Sequence, residues 1–205
     1  MTRLLIMGPP GSGKGTQAVR IADKMAIPAI STGDIFRYNV KEMTELGTEA
    51  KRYIDAGDFV PDDVTNRMVA DRLNQADVSN GFLLDGYPRT AGQVEALEKI
   101  MEEKDDTLTA VLVLEVPDEE IVERLLARAA TEGRSDDTEE VIKHRLDLYH
   151  QETEDLIEAY VERGIVGRVD GTGAIDDVTE RLLQTIYNIR ARTGTLPVIK
   201  PRTNE

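Results

Sequence analysis

Within nine residues, Gly8-Pro9-Pro10-Gly11-Ser12-Gly13-Lys14-Gly15-Thr16 gathers four glycines, two hydroxyls and a lysine. That spacing suits a phosphate chain. Glycines let backbone N–H groups turn inward with no Cβ in the way. A helix starting just behind them adds about half a positive charge at its N-terminus. The Lys14 ammonium can then lie against the phosphates. A general phosphate-binding loop carries Ser or Thr directly after the lysine; here Gly15 intervenes and the hydroxyl is Thr16.

A second candidate is Asp85, which closes the apolar run Gly81-Phe82-Leu83-Leu84. A carboxylate at a strand end beside a phosphate loop is placed to serve Mg²⁺. The third is a set of arginines, Arg37, Arg89, Arg124, Arg128, Arg134 and Arg145. Guanidinium is always charged and grips phosphate bidentately. Phosphoryl transfer needs such cations around the moving group more than it needs a strong base. Arg124 and Arg128 share a helix face, and Arg134 and Arg145 lie beyond the Gly133 break. Four arginines around one short polar loop predict a lid over a polyphosphate.

These groups need a frame. The sequence predicts strands at 3–7, 26–30, 81–85, 108–116 and 165–169. Between them it predicts helices at 14–25, from Ser31 to about 55, from Pro61 onward, at 91–104 and from Pro117 to about 130. One long helix is expected after the break, with Ile142, Leu146, Tyr149, Leu156 and Tyr160 as its buried stripe. A final helix buries Ile175, Val178, Leu182, Ile186 and Ile189. After Arg190 the pattern stops, and 191–205 reads as a loose tail. Alternating strands and helices imply a mostly parallel sheet with helices on both faces and ligands at the C-terminal strand ends. Both Gly8–Thr16 and Asp85–Arg89 leave strands at that end.

The bulk numbers narrow the class. The chain has 205 residues, 40% hydrophobic and 31% charged, with a formal net charge of −14. Such acidity argues against nucleic acid as a partner. There is no cysteine, which excludes thiol catalysis, disulfides and a thiolate zinc site. His144 and His150 fall in a charged helical pattern and read as surface residues. No run is long enough to span a bilayer, and no signal peptide is evident, so the expectation is cytoplasmic. No heptad seam or apolar patch appears, so a monomer is expected.

The chain resembles the adenylate kinase family across roughly residues 2–190. The matching stretches are GPPGSGKGTQ (8–17), STGDIFR (31–37), DGYPRTAGQ (85–93), the arginine-bearing helix 118–129, GRSDDTEEVIKHRL (133–146) and VDGTG (169–173). The resemblance implies a P-loop NTPase-type parallel five-stranded sheet with helices on both faces, plus two small additions. The core would be 1–30, 61–126 and 138–190, with an NMP-binding lobe at 31–60 and a short lid at 127–137. The lid is short, with no inserted hairpin and no zinc cysteines, as in the short-lid members.

The resemblance also implies reversible transfer of the terminal phosphoryl group of MgATP to AMP, giving two ADP. Gly11, Ser12, Gly13, Lys14, Gly15 and Thr16 would hold the ATP phosphates. Arg124 would stack on the ATP base, Arg128 would reach its phosphates, and Gly173 would offer a carbonyl to the base. Thr32, Arg37, Asp58, Phe59, Val60, Gly86, Tyr87, Pro88, Arg89 and Gln93 would hold AMP, with the Gln93 amide reading the adenine edge. Arg134 and Arg145 would span the transferring group, Asp85 would serve Mg²⁺, and no structural zinc is expected. Two lobes closing only on both substrates would keep water out, with Gly33, Gly57 and Gly133 as possible hinges.

Rival readings are a UMP/CMP kinase, a nucleotide switch protein and an inactive nucleotide-binding protein. Thr32 and Thr90 favour AMP over the pyrimidine acceptors, by resemblance. The switch reading would need a guanine-reading Asn-Lys pair, and none occurs.

Overall fold

A computed structural model describes residues 1–132, 134 and 136–194. Among them, β1 (Thr2–Met7), β2 (Ala29–Ser31), β3 (Gly81–Asp85), β4 (Ala110–Glu115) and β5 (Val166–Asp170) form one parallel sheet in the order β2-β3-β1-β4-β5. Parallel strands covered on both faces must be apolar nearly throughout. Leu4, Leu5, Leu83, Leu84, Val111 and Leu112 are accordingly sealed from solvent. From β1 the chain leaves towards β2, and from β4 it leaves towards β5. The two central strands therefore part company at their C-terminal ends, and a crevice opens between the loops that follow them.

Helix α1 (Lys14–Met25) begins at the end of the glycine loop and buries Gln17, Ala18, Ile21 and Ala22. Residues between β2 and β3 form α2 (Thr32–Lys41), α3 (Glu45–Ala56) and α4 (Asp62–Leu73). Ser31 caps α2 by accepting from the Asp34 amide, as its place before the helix predicts. Then come α5 (Ala91–Glu103), α6 (Asp118–Glu132) and α7 (Glu139–Leu148). α8 (Glu158–Val161) precedes β5, and α9 (Ile175–Thr193) closes the described chain.

Some expectations need correction. The second strand lies at Ala29–Ser31 rather than 26–30: Ala26 takes a left-handed conformation to end α1, and Pro28 precedes the ladder. The long helix after the break is not one helix. Past α7 the backbone widens to a π segment at Tyr149–Thr153, then tightens to a 3₁₀ turn at Glu154–Ile157. The register shifts, so Ile157 takes the core position and Leu156 is only partly buried. Ile175 is 53% exposed, because it opens α9 before the buried face begins at Val178. Residues 191–193 of the expected tail continue α9, which ends at the left-handed Gly194; 195–205 lie outside the described residues.

The core comes in two parts. The larger one joins both faces of the sheet to α1, α4, α5 and α9. The smaller one, Val116, Ile121, Leu125, Ile142 and Leu146, holds α6 against α7.

Candidate active site

A cleft of about 600 Å³ lies at the C-terminal ends of β1, β2 and β3, bounded by the glycine loop, α6 and the loop after β5. Gly8 has φ +137°, and a Cβ there would stand 2.5 Å from the Leu114 carbonyl oxygen, so only glycine lets the loop pass the end of β4. Gly11, Ser12, Gly13, Lys14, Gly15 and Thr16 all line the cleft. The Lys14 ammonium donates to the Gly8 and Pro9 carbonyls at 2.8 and 2.7 Å. The Ser12 hydroxyl is buried and has no hydrogen-bond partner among the described residues.

Asp85 stands across from this loop, 8% exposed, with Oδ2 3.6 Å from where a Cβ on Gly15 would sit. Burial raises its carboxyl above the usual range, against the pull of Lys14 and Arg89. After Asp85 the chain turns sharply. A Cβ on Gly86 would meet Thr32 Oγ1 at 2.8 Å and Arg89 Nη2 at 2.9 Å, so glycine here lets the start of α2 and the Arg89 side chain close in together. Thr32 donates to the Gly86 carbonyl at 2.9 Å, and Arg89 Nε donates to the same oxygen at 2.8 Å. The Arg89 guanidinium also lies 5.5 Å from the centre of the Phe59 ring.

Arg124 joins the glycine loop to the loop after β5. Its guanidinium donates to the Ser12 carbonyl at 3.4 Å and the Gly171 carbonyl at 3.1 Å. Gly173 lines the cleft on that side. Arg128 donates twice to Asp137, both at 2.6 Å, and Arg145 donates to Asp136 at 2.8 Å and Asp137 at 3.2 Å. Arg134 lines the cleft with them. The lid expected at 127–137 includes Gly133 and Ser135, which lie outside the described residues.

A smaller chamber of about 80 Å³ continues behind Arg89. Thr32, Arg37, Asp58, Phe59, Val60, Gly86, Gln93 and Arg145 line it. Tyr87 and Pro88 face the larger cleft, but the Tyr87 hydroxyl is spent on Asn66 at 2.8 Å. Of the glycines read as hinges, Gly33 sits in the first turn of α2 and Gly57 is the left-handed end of α3.

The electrostatics follow from the crowding. Lys14 is pushed down to about 8, first by burial and then by Arg89, Arg145 and Arg128, with Asp85 opposing. Arg89 falls to about 10, again by burial and then by Arg145 and Arg37. Burial lowers Arg145 too, against Asp136 and Asp137. A chain of net charge −14 thus concentrates mutually repelling cations in one crevice. Asp85, Asp136 and Asp137 offset part of that repulsion.

Three features escaped sequence reasoning. Asp136 and Asp137 are buried partners of the arginines; the signal was two adjacent acids between Arg134 and Arg145. Thr153, on the π segment, donates to the Arg89 carbonyl at 2.9 Å; nothing in the local sequence marks it. Asp58 meets His144 on α7 at 2.6 Å, a contact between segments 86 residues apart.

Among the described residues no cluster of three His, Cys, Asp or Glu side chains could hold a metal, and no helix is long and apolar enough to cross a membrane. The family model for adenylate kinase matches residues 6–165. An adenylate kinase of Micrococcus luteus is 74% identical over 201 residues, covering 98% of each chain. One of Pseudarthrobacter chlorophenolicus is 61% identical over 191 residues, covering 93% of this chain and 100% of its own. One of Kocuria rhizophila is 60% identical over 186 residues, covering 91% of this chain and 99% of its own. With the parallel sheet, the glycine loop and the arginine-lined cleft, these likenesses identify the chain as a member of the adenylate kinase family.

Proposed function

We propose that the cleft binds MgATP and AMP together and moves the terminal phosphoryl group between them, reversibly, to give two ADP. The observation that carries this is the convergence of Lys14, Arg89, Arg128, Arg134 and Arg145 on one crevice that a glycine loop closes at one end. Gly11–Thr16 would wrap the ATP phosphates through backbone N–H groups. Arg124 and the Gly173 carbonyl would hold the donor base, and Arg128 would reach its phosphates. The smaller chamber, with Thr32, Arg37, Asp58, Phe59, Val60, Gly86 and Gln93, would take AMP, with Tyr87 and Pro88 forming its wall towards the cleft. Arg89, Arg134 and Arg145 would steady the charge on the group in flight.

Mg²⁺ fits the donors present. The Asp85 carboxylate and the Thr16 hydroxyl are hard oxygens, and Asp85 is buried against the glycine loop with Oδ2 3.6 Å from where a Cβ on Gly15 would sit. Bound there with ATP, the ion would screen the phosphate charge. The chain's own residues would do the rest: Lys14 leaves the Gly8 and Pro9 carbonyls for phosphate oxygens, and the arginines align the two anions and exclude water. We read 31–60 as the acceptor lobe and 127–137 as the lid.

We also read the chain as a cytoplasmic monomer that takes neither nucleic acid nor membrane as partner. Its net charge of −14 supports the exclusion of nucleic acid. ATP labelled at the terminal phosphate tests the reaction. The label should appear in ADP when AMP is supplied. Its appearance as inorganic phosphate alone would mean hydrolysis, and the reading would fail.

A further inference from the structure

Gln93 is 2% exposed, yet it lines the smaller chamber. Its carboxamide is held from two directions. Nε2 donates to Asp62 Oδ1 at 2.7 Å. Oε1 accepts from the Arg89 backbone N–H at 2.8 Å. Asp62 opens α4, and its other oxygen accepts from the Thr90 hydroxyl at 2.7 Å. Thr90 in turn caps α5 by accepting from the Gln93 backbone N–H at 3.2 Å. The approach is close: a Cβ on Gly92 would stand 2.9 Å from Asp62 Oδ2.

A carboxamide can turn over, exchanging its oxygen and nitrogen at little cost unless its partners forbid it. Here both partners forbid it. A carboxylate only accepts, and a backbone N–H only donates. Turned over, Oε1 would face Asp62 and Nε2 would face the Arg89 N–H, losing two hydrogen bonds and gaining two repulsions. The amide has two hydrogens and two lone pairs, and the protein uses one of each. One N–H and one lone pair remain, and their left-to-right order is fixed.

A 6-aminopurine edge offers a donor at the 6-amino group and an acceptor at N1. A 6-oxopurine edge offers the same pair in reverse, an acceptor at O6 and a donor at N1. An amide fixed one way round satisfies the first and leaves the second with two mismatched contacts.

We propose that Asp62 is a positioning residue that holds the Gln93 carboxamide one way round and so discriminates 6-amino from 6-oxo purine monophosphates. The inference rests on the reading of the smaller chamber as the AMP site. Asp62 itself touches no substrate; it acts through Gln93. Asp62→Asn weakens the lock without changing its size. The Asn side chain is no longer restricted to accepting: with its oxygen kept on the Thr90 hydroxyl, its amide turns its N–H₂ towards Gln93. The two ends of the Gln93 amide then ask for opposite orientations.

The test compares AMP with IMP as acceptors for MgATP in the wild-type chain, Asp62→Asn and Asp62→Ala. IMP lacks a 2-amino group, so bulk does not confound the edge pattern. The ratio of kcat/KM for AMP over IMP should fall at least about tenfold in Asp62→Ala, the scale of losing one hydrogen bond to a charged group, and by less in Asp62→Asn. The change should sit in acceptor KM, with the MgATP KM unmoved. If Asp62 serves only to join α4 to α5, kcat/KM for both acceptors falls together and the ratio stays, which overturns the proposal. If Asp62→Ala does not fold, Asp62→Leu, which removes the acceptor at nearly the same size, decides by the same ratio. A wild-type chain that transfers to neither purine overturns the chamber assignment instead, so the two failures are distinguishable.

Discussion

The two sides of the cleft are built differently. The glycine loop grows directly from β1, whose residues Leu4 to Met7 are sealed in the larger core. The groups assigned to it under the proposed function are backbone amides, whose positions follow the chain's own path. The arginine side rests on α6 and α7, which share only the small cluster around Ile121, Leu125, Ile142 and Leu146. Its cations are long side chains, and Arg128 and Arg145 among them are held by the buried carboxylates of Asp136 and Asp137. One side is rigid by construction. The other is held by ion pairs, and under the proposed function a polyphosphate would compete for its arginines.

That contrast predicts where damage shows. Lys14→Met should cost the most, about 10³-fold in kcat, the scale of removing one preorganised transition-state donor. It should leave the melting temperature nearly unchanged or raise it, because a buried cation is removed from among Arg89, Arg128 and Arg145. A mild loss of activity would show that the loop backbone suffices.

Asp137→Ala should do the reverse. The Asp137 side chain is fully buried, and its loss takes a two-bond ion pair from Arg128 and one of two carboxylate partners from Arg145, which keeps Asp136. Those guanidiniums keep some contact with solvent, so the expected cost is about 2 kcal/mol, less than for a fully buried pair. Hydrogen exchange should place that loss in α6 and α7, with α1 and the sheet still protected. Uniform loosening of the whole chain would mean the two cores are one cooperative unit.

The smallest effect is one of pH. Lys14 in the free chain is held down to about 8. Only its ammonium form suits phosphate, and bound phosphate raises its pKa again. kcat/KM for MgATP should therefore fall as pH rises through about 8, approaching tenfold per unit, while kcat at saturating MgATP stays flat over the same range. A fall in kcat with kcat/KM unchanged would place the titration elsewhere.

The same contrast governs what the sequence reveals. The loop is legible because its geometry is local: glycine positions, a preceding apolar run and a following helix all lie within 25 residues. The sheet is legible for the same reason, since buried parallel strands are unbroken apolar runs. The arginine side is legible only as a collection of cations. Which acids hold them depends on how α6 meets α7, and that is tertiary. The π segment at Tyr149–Thr153 is hidden because its residues keep a helical look while the register slips. Asp62 reads as an ordinary acid in a helix's first turn; its hold on Gln93 appears only when α4 and α5 pack together. Arg89, by contrast, was visible in the turn after β3, and the structure adds the Gly86 carbonyl and Phe59 that aim it.

The most direct test of the account is phosphoryl transfer from MgATP to AMP, CMP, UMP and GMP, read as diphosphate formed. Rapid transfer to AMP, with the other acceptors far behind, is the predicted result. A preference for CMP or UMP would keep the glycine loop and the arginines but contradict the assignment of the smaller chamber. Binding of ATP without transfer to any acceptor would contradict the account as a whole.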